Sequence, residues 1–589
     1  MTFLDGLGSM PQLSSYSKAA LERFNANAVE KLNQLVPLSE ATRDDQVLSY
    51  IDNTVRFGIF SIPRGPQKAS SHNFSLSAPT TWDNVVRVVR ASQLLKPIML
   101  EGSPGVGKTS LVAALANMCG YHLCRINLSD QTDLVDLFGS DLPVEGGEPG
   151  QFAWKDAEFL RALQEGHWVL LDEMNLAPQS VLEGLNAVLD HRGTVYIPEL
   201  GRSFIRHPSF RIFAAQNPLH QGGGRKGLPK SFLNRFTKVY VQEMSAHDLL
   251  LICRNLFPQY PPELLEKMIA YMTVLNEETM VKRSFGREGA PWEFNLRDVI
   301  RWATLLQDPQ APIHPSQYLS SVILQRFRTV EDRHRAHDLF SSLFPGEYHV
   351  DRPFTVVSPS FLQVGHYAAE RSHRLASSPS GRVMQTSLSA LESLGMCIKN
   401  GWLAILTGPK NSGKTTLIKT IAELMGKMLQ EVSINNATDA TDILGSFEET
   451  DFGYHVAEVI REVLDLLDDV SCLGAGSRYH AASDYTAIFK SLSSSVSAVD
   501  LPDVILMLSR ALEGLQDLPE PQRSRKVQVQ ADVQRLSSRR PQAAQLEWVD
   551  GPLVRALKEG HWLLLDGADY SESTKYLIEF SNASAMHLS

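Results

Sequence analysis

The chain has 589 residues, 43% of them hydrophobic and 21% charged, with a formal net charge of −10. That length predicts roughly three to six domains, and the acidic balance argues against a protein held mainly by nucleic-acid phosphates. Five cysteines, an odd number with no metal-ligand spacing, predict reduced thiols in an intracellular compartment; no secretory signal opens the chain and no apolar run reaches membrane-spanning length.

Residues 1–77 carry no phosphate-binding motif and read as the tail of an upstream module plus a linker. A first α/β core is expected at 78–241. Within it, Pro97 to Gly102 reads as a buried strand that delivers the chain into Gly102, Ser103, Pro104, Gly105, Val106, Gly107, Lys108, Thr109 and Ser110. The helix that follows places Leu111, Val112, Leu115 and Met118 on one apolar face. Strand, glycine-rich loop and helix form the context a P-loop requires. The glycines let backbone N–H groups approach phosphate. Lys108 is expected on the β- and γ-phosphates, and Thr109 on Mg²⁺. The bland alternative is a glycine-rich turn that binds nothing.

His167 to Asp172 is an apolar strand ending in two acids, Asp172 and Glu173. The carboxyl end of a parallel strand is where such sheets place ligands. Asp172 suits Mg²⁺ held through water, and Glu173 suits polarisation of an attacking water. Arg211 to Asn217 is another apolar strand, and Asn217 at its end suits the γ-phosphate or water. Arg235 sits between apolar residues in Phe232-Leu-Asn-Arg-Phe, and alone it reads as a surface arginine in a salt bridge. Arg297 lies on a predicted helix within a helical lid expected at 242–345, followed by a linker at 346–385.

A second P-loop then appears: Gly408, Pro409, Lys410, Asn411, Ser412, Gly413, Lys414, Thr415 and Thr416. It too is read as preceded by an apolar strand. The echo extends further. Arg125-Ile-Asn-Leu-Ser returns as Ser433-Ile-Asn-Asn, Thr132-Asp133 as Thr438-Asp439, and Leu160 to Asp172 as Val554 to Asp566. One domain-sized module has been used twice. The second core is expected at 386–446 and 546–589 and is read as truncated, with Thr415 and Asp566 as its Mg²⁺ positions. Between its halves, 447–545 is an insertion with helical spacing at Val459, Ile460, Val463, Leu464, Leu466 and Leu467 and again from Val504 to Leu515. A Ser-rich stretch at Ser491–Ser497 and a basic stretch from Arg523 to Arg540 complete it; the latter reads as a solvated flexible segment. Asp566 is followed by Gly567, which has no carboxylate to polarise water.

This order of motifs resembles the AAA+ superfamily, specifically the ring ATPases related to dynein and MoxR, and within it the branch that serves large-ribosomal-subunit assembly. The resemblance is dense from Pro79 to Thr237 and thinner in the second module. It implies tandem AAA+ modules of α/β class, each a parallel sheet flanked by helices with a helical lid. It implies ATP and Mg²⁺ as cofactors. It makes Asn217 the first sensor residue, Arg235 a finger acting in trans on a neighbouring module's ATP, and Arg297 the second sensor. It also implies that Asn127 restrains Glu173 until a partner engages. Partners implied are neighbouring modules in a ring, pre-60S particles and their assembly factors, in the nucleolus and nucleoplasm. Two other readings stay open: a nucleotide-regulated scaffold with little hydrolysis, and a nucleic-acid-binding ATPase resting on the basic stretch alone.

Overall fold

The computed structural model describes residues 48–51, 53–69, 74–144, 151–190, 193–217, 227–307, 314–345, 354–371, 383–435, 437–450, 452–473, 501–515, 518, 520–538 and 545–567. The chain forms two compact units. One comprises Met1–Leu142, Trp154–Pro309 and Phe327–Glu347; the other comprises Pro143–Ala153, Gln310–Arg326 and Tyr348–Ser589.

The first unit opens on an antiparallel meander, β1 (Leu48–Ile51), β2 (Thr54–Phe57) and β3 (Phe60–Pro63). Helix α1 (Pro79–Ala91) leads into β4 (Ile98–Glu101), α2 (Lys108–Cys119) and β5 (Leu123–Asn127). After α3 (Leu134–Phe138), β6 (Gly139–Pro143), β7 (Phe152–Asp156) and α4 (Glu158–Glu165) comes β8 (Trp168–Asp172). Then follow α5 (Gln179–Leu189), the hairpin β9 (Thr194–Ile197) and β10 (Arg202–Ile205), β11 (Arg211–Gln216), α6 (Lys230–Leu233) and β12 (Thr237–Tyr240). Five of these strands make one parallel sheet, in the order β12-β4-β11-β8-β5.

The period-2 alternation of β8 shows why the sheet is covered on both faces. Trp168 and Leu170 enter one core with Leu100, Val112 and Leu115; Val169 and Leu171 enter the other with Leu160, Leu163 and Leu185. A strand buried on both sides must be apolar throughout, and β8 is so until Asp172. The sequence breaks polarity at the one end where the sheet is open to a ligand.

The helical lid contains α7 (Ala246–Leu256), α8 (Pro262–Asn276), α9 (Leu296–Leu305) and α11 (Val330–Leu343); α10 (Ser316–Val322) falls in the second unit. An aromatic triad centres the lid. Tyr271 meets Trp302 and Phe340 edge-on at 5.9 and 5.5 Å between ring centroids. The Tyr271 hydroxyl donates to the Ala336 carbonyl at 2.9 Å, so its polar end is satisfied inside the core.

The second unit repeats the opening: meander β13 (Thr355–Val357), β14 (Phe361–Val364) and β15 (Tyr367–Glu370), then α12 (Leu388–Lys399) and α13 (Lys414–Met425). Strand β16 (Leu429–Ser433), α14 (Ala440–Leu444) and β17 (Gly445–Thr450) follow, and later β18 (Gln545–Asp550), α18 (Pro552–Glu559) and β19 (Trp562–Asp566). Between β17 and β18 stand α15 (Phe452–Leu473), α16 (Leu501–Glu513) and α17 (Glu520–Ser538) around one apolar cluster containing Ile460, Val463, Leu508, Leu512 and Val533.

Four expectations need correcting. First, 1–77 and 346–385, read as tail and linkers, each hold a three-stranded meander; Val55, Phe57 and Ile62 lie in the first unit's core. Second, the basic stretch is helical where described: Val529, Val533 and Leu536 are buried, and an apolar stripe at that spacing holds a helix against the bundle. Arg539, Arg540 and Ser491–Ser497 lie outside the described residues. Third, no strand precedes the second loop among the described residues; 402–408 are irregular, with Leu403 and Ile405 exposed. In the first unit β4 is held by β11 and β12. The described parallel sheet of the second unit holds only β16 and β19, and no counterpart of β11 or β12 is described beside this segment. Fourth, the echoed Ile-Asn dipeptides are not equivalent. Asn127 pairs with Asp172, and Ser433 with Asp566; Ser129 N–H and Asn435 N–H each donate to the hydroxyl of Thr132 or Thr438 at 3.0 Å. Asn127 therefore corresponds to Ser433.

Candidate nucleotide site

The loop at the carboxyl end of β4 has the backbone its glycines permit. Gly105 and Gly107 have φ of +74° and +84°, a region that a Cβ disfavours. Gly107 then starts α2, which directs its first N–H groups toward the loop. Lys108, only 7% exposed, curls back so that its ammonium donates to the carbonyls of Gly102 at 2.7 Å and Ser103 at 3.0 Å and to Asn217 Oδ1 at 2.7 Å. The cation is fixed at the mouth of the loop.

Asn217 joins two parts of the site. It follows β11, whose register sets Gln216 beside Glu101. While its Oδ1 accepts from Lys108, its Nδ2 donates to Glu173 Oε1 at 2.5 Å. Asn175 Nδ2 steadies it by donating to the Asn217 carbonyl at 3.0 Å. The side chain that holds Glu173 is thus Asn217 rather than the expected Asn127, whose Oδ1 is buried with no hydrogen-bond partner. Glu173 has φ +53°, left-handed backbone that a non-glycine residue adopts at a cost.

Beside this chain runs a second one. Thr109 Oγ1 donates to Asp172 Oδ2 at 3.0 Å, and Arg125 Nη2 donates to the same oxygen at 2.8 Å. A hydroxyl and a carboxylate converging at a loop mouth form a hard-oxygen set that suits Mg²⁺. Thr109 and Asp172 would hold it, the latter through water. The described residues contain no cluster of three or more His, Cys, Asp or Glu arranged to hold a metal.

The remaining predicted residues, Arg235 and Arg297, take no part in these two hydrogen-bonded chains. Arg235 Nη1 donates to Asn186 Oδ1 on α5 at 2.5 Å. Arg297 is exposed in the first turn of α9. Two lid residues that sequence reasoning missed come closer. A Cβ on Gly105 would lie 2.7 Å from Asn295 Nδ2 and 3.0 Å from Glu293 Oε1. The only textual signal was the Asn295-x-x-Asp298 capping pattern that starts α9. Burial pushes the Cys119 thiol up to about 12 and the Cys253 thiol up to about 11, which disfavours the reactive thiolate at both.

The second loop reproduces half of this arrangement. Lys414 Nζ donates to the carbonyls of Gly408 at 2.9 Å and Pro409 at 2.8 Å, and Thr415 Oγ1 donates to Asp566 Oδ2 at 3.1 Å. Gly567, with φ +78°, stands where the first module has Glu173. The left-handed turn is kept and the carboxylate is gone.

Residues 97–236 match the family described as AAA domain (dynein-related subfamily), and 248–345 match the Midasin AAA lid domain. Midasin of Dictyostelium discoideum is 38% identical over 98% of this chain and 11% of its own length. Midasin of Giardia intestinalis is 33% identical over 97% of this chain and 14% of its own length. An uncharacterised protein of Staphylococcus epidermidis is 28% identical over 36% of this chain and 80% of its own length. The chain therefore spans a small fraction of the two midasins it matches.

Proposed function

The chain belongs to the midasin family of dynein-related AAA proteins, and from that premise we propose that it hydrolyses ATP at its first site to drive mechanical work on pre-60S ribosomal particles. In this reading it removes assembly factors from those particles in the nucleolus and nucleoplasm, as one stretch of a ring of AAA modules. The observation that carries the catalytic part is the hydrogen-bonded chain Lys108–Asn217–Glu173 beside Thr109–Asp172.

The chemistry follows from what these groups can do. Loop N–H groups and Lys108 hold the triphosphate and offset the charge that develops on it. Glu173 accepts a proton from water as its oxygen attacks the γ-phosphorus, and ADP departs. Thr109 and Asp172 would hold Mg²⁺, which would supply charge neutralisation to the triphosphate. Asn217 touches both the phosphate-binding cation and the base, so it registers whether the γ-phosphate is present. Arg235 acts on the nucleotide of a neighbouring module; within its own module its guanidinium donates to Asn186.

Lys108→Ala is expected to abolish nucleotide binding at this site. Glu173→Gln keeps an oxygen for Asn217 and is expected to retain binding while turnover falls about 10²- to 10⁴-fold. Full turnover by the Gln variant, measured with whole neighbouring modules present, refutes the assignment. For the second site Gly567 favours a scaffold role: it binds nucleotide, sets module shape and hydrolyses poorly.

A further inference from the structure

The loop that receives phosphate is approached by two lid side chains, an anionic carboxylate and a neutral amide. Around the loop, backbone N–H groups and Lys108 create a field that favours an anion. Glu293 Oε1 lies over Gly105 within that field, and it accepts a hydrogen bond from Asn295 Nδ2 at 2.7 Å. Asn295 is fixed from its other end, because its Oδ1 accepts from the Arg297 N–H at 2.9 Å. Its amide donor therefore has one defined place, beside Gly105, and one anionic partner there. Glu243 also meets the loop, but differently: its Oε1 accepts from the Ser103 hydroxyl at 2.6 Å.

A carboxylate and a nucleotide phosphate cannot both occupy the neighbourhood of Gly105 without repulsion. A side-chain amide donor beside the same glycine is suited to a phosphate oxygen. We propose that Asn295 is a nucleotide-contacting residue supplied by the lid, and that Glu293 is a gate holding its amide when the loop is empty. Arriving phosphate displaces the Glu293 carboxylate and takes over the Asn295 donor. Because Asn295 also starts α9, the exchange transmits loading of the loop to the helix that carries Arg297. This rests on reading the first loop as a nucleotide site.

The test is equilibrium binding of ATP and of ADP to the 589-residue chain carrying Lys414→Ala, which silences the second loop. Glu293→Gln removes the charge and keeps an oxygen for Asn295. It is expected to tighten binding about tenfold at low salt, the gain shrinking as ionic strength rises. Asn295→Ser keeps a good helix cap and loses the long donor, and is expected to weaken binding by about tenfold at every salt concentration. Asn295→Asp keeps the cap and adds a charge, and should weaken binding further at low salt. If binding depends on Lys108 yet Glu293→Gln and Asn295→Ser both bind like the parent, the gate is refuted and the nucleotide site stands. If no binding depends on Lys108, the site and the gate fall together.

Discussion

The left-handed backbone at Glu173 makes a prediction whose sign, rather than size, is diagnostic. At φ +53° a residue with a Cβ carries strain of roughly 1–2 kcal/mol that glycine avoids. Both Glu173→Ala and Glu173→Gly lose the hydrogen bond from Asn217, worth about 1.5–3 kcal/mol to a charged acceptor. They differ in backbone alone. At ordinary φ, glycine is the less stable of the two by about 0.5–1 kcal/mol because its unfolded chain is freer. Here relief of strain exceeds that entropy, so Glu173→Gly is expected to be more stable than Glu173→Ala by about 0.5–1 kcal/mol. Hydrogen exchange of the Val169, Leu170 and Leu171 amides in the adjoining strand reads local opening at the site without requiring the whole chain to unfold in one step. An alanine variant as stable as the glycine variant, or more so, shows that the turn is unstrained and that Gly567 is no relaxed counterpart of Glu173.

Asp248 gives a pH dependence. Burial pushes its carboxyl up, but hydrogen bonds from the hydroxyls and amides of Ser245 and Thr80 outweigh burial and hold it below the usual aspartate range. A depressed folded-state value contributes stability above the unfolded value, near about 4, and loses it as pH falls through the folded value. The protection factors of the Thr80 and Ser245 amides, exchange rates corrected for the intrinsic pH dependence, should therefore fall below about pH 4 in the parent, whereas Asp248→Asn should be less protected at neutral pH and lose less protection in acid. At the second site, Gly567→Glu restores a carboxylate beside Asp566 at a cost of roughly 1 kcal/mol in backbone strain. It is expected to raise single-turnover hydrolysis at that site when whole neighbouring modules are present, and no gain refutes the view that the missing acid limits it.

Much of the site was legible because its chemistry is local in sequence. Glycine spacing announced the loop, and an apolar run ending in Asp172 and Glu173 announced the strand facing it. The contact of Thr109 with Asp172 follows once both elements sit in one parallel sheet. The double engagement of Asn217 was not legible, because it depends on the β4–β11 register, which no motif encodes. Nor was the approach of Glu293 and Asn295 to Gly105, made by residues far away in the chain. The meanders were missed for a different reason: strands of three or four residues contain too few alternations to show a period. The Val529, Val533 and Leu536 stripe did carry a helical signal, masked by the arginines and lysine around it.

The join between core and lid has a mechanical consequence. Asn84 on α1 imitates a strand neighbour: its Nδ2 donates to the Gln242 carbonyl and its Oδ1 accepts from the Gln242 N–H, both at 3.0 Å. With Asp248 clasping Thr80 a few residues on, the segment leaving β12 is pinned to the core at two points. Any swing of the lid must then pivot beyond the second pin, which lies in the first turn of α7, so the moving arm begins with α8. A displacement begun at Asn295 is felt along that arm while the sheet and its loop stay still.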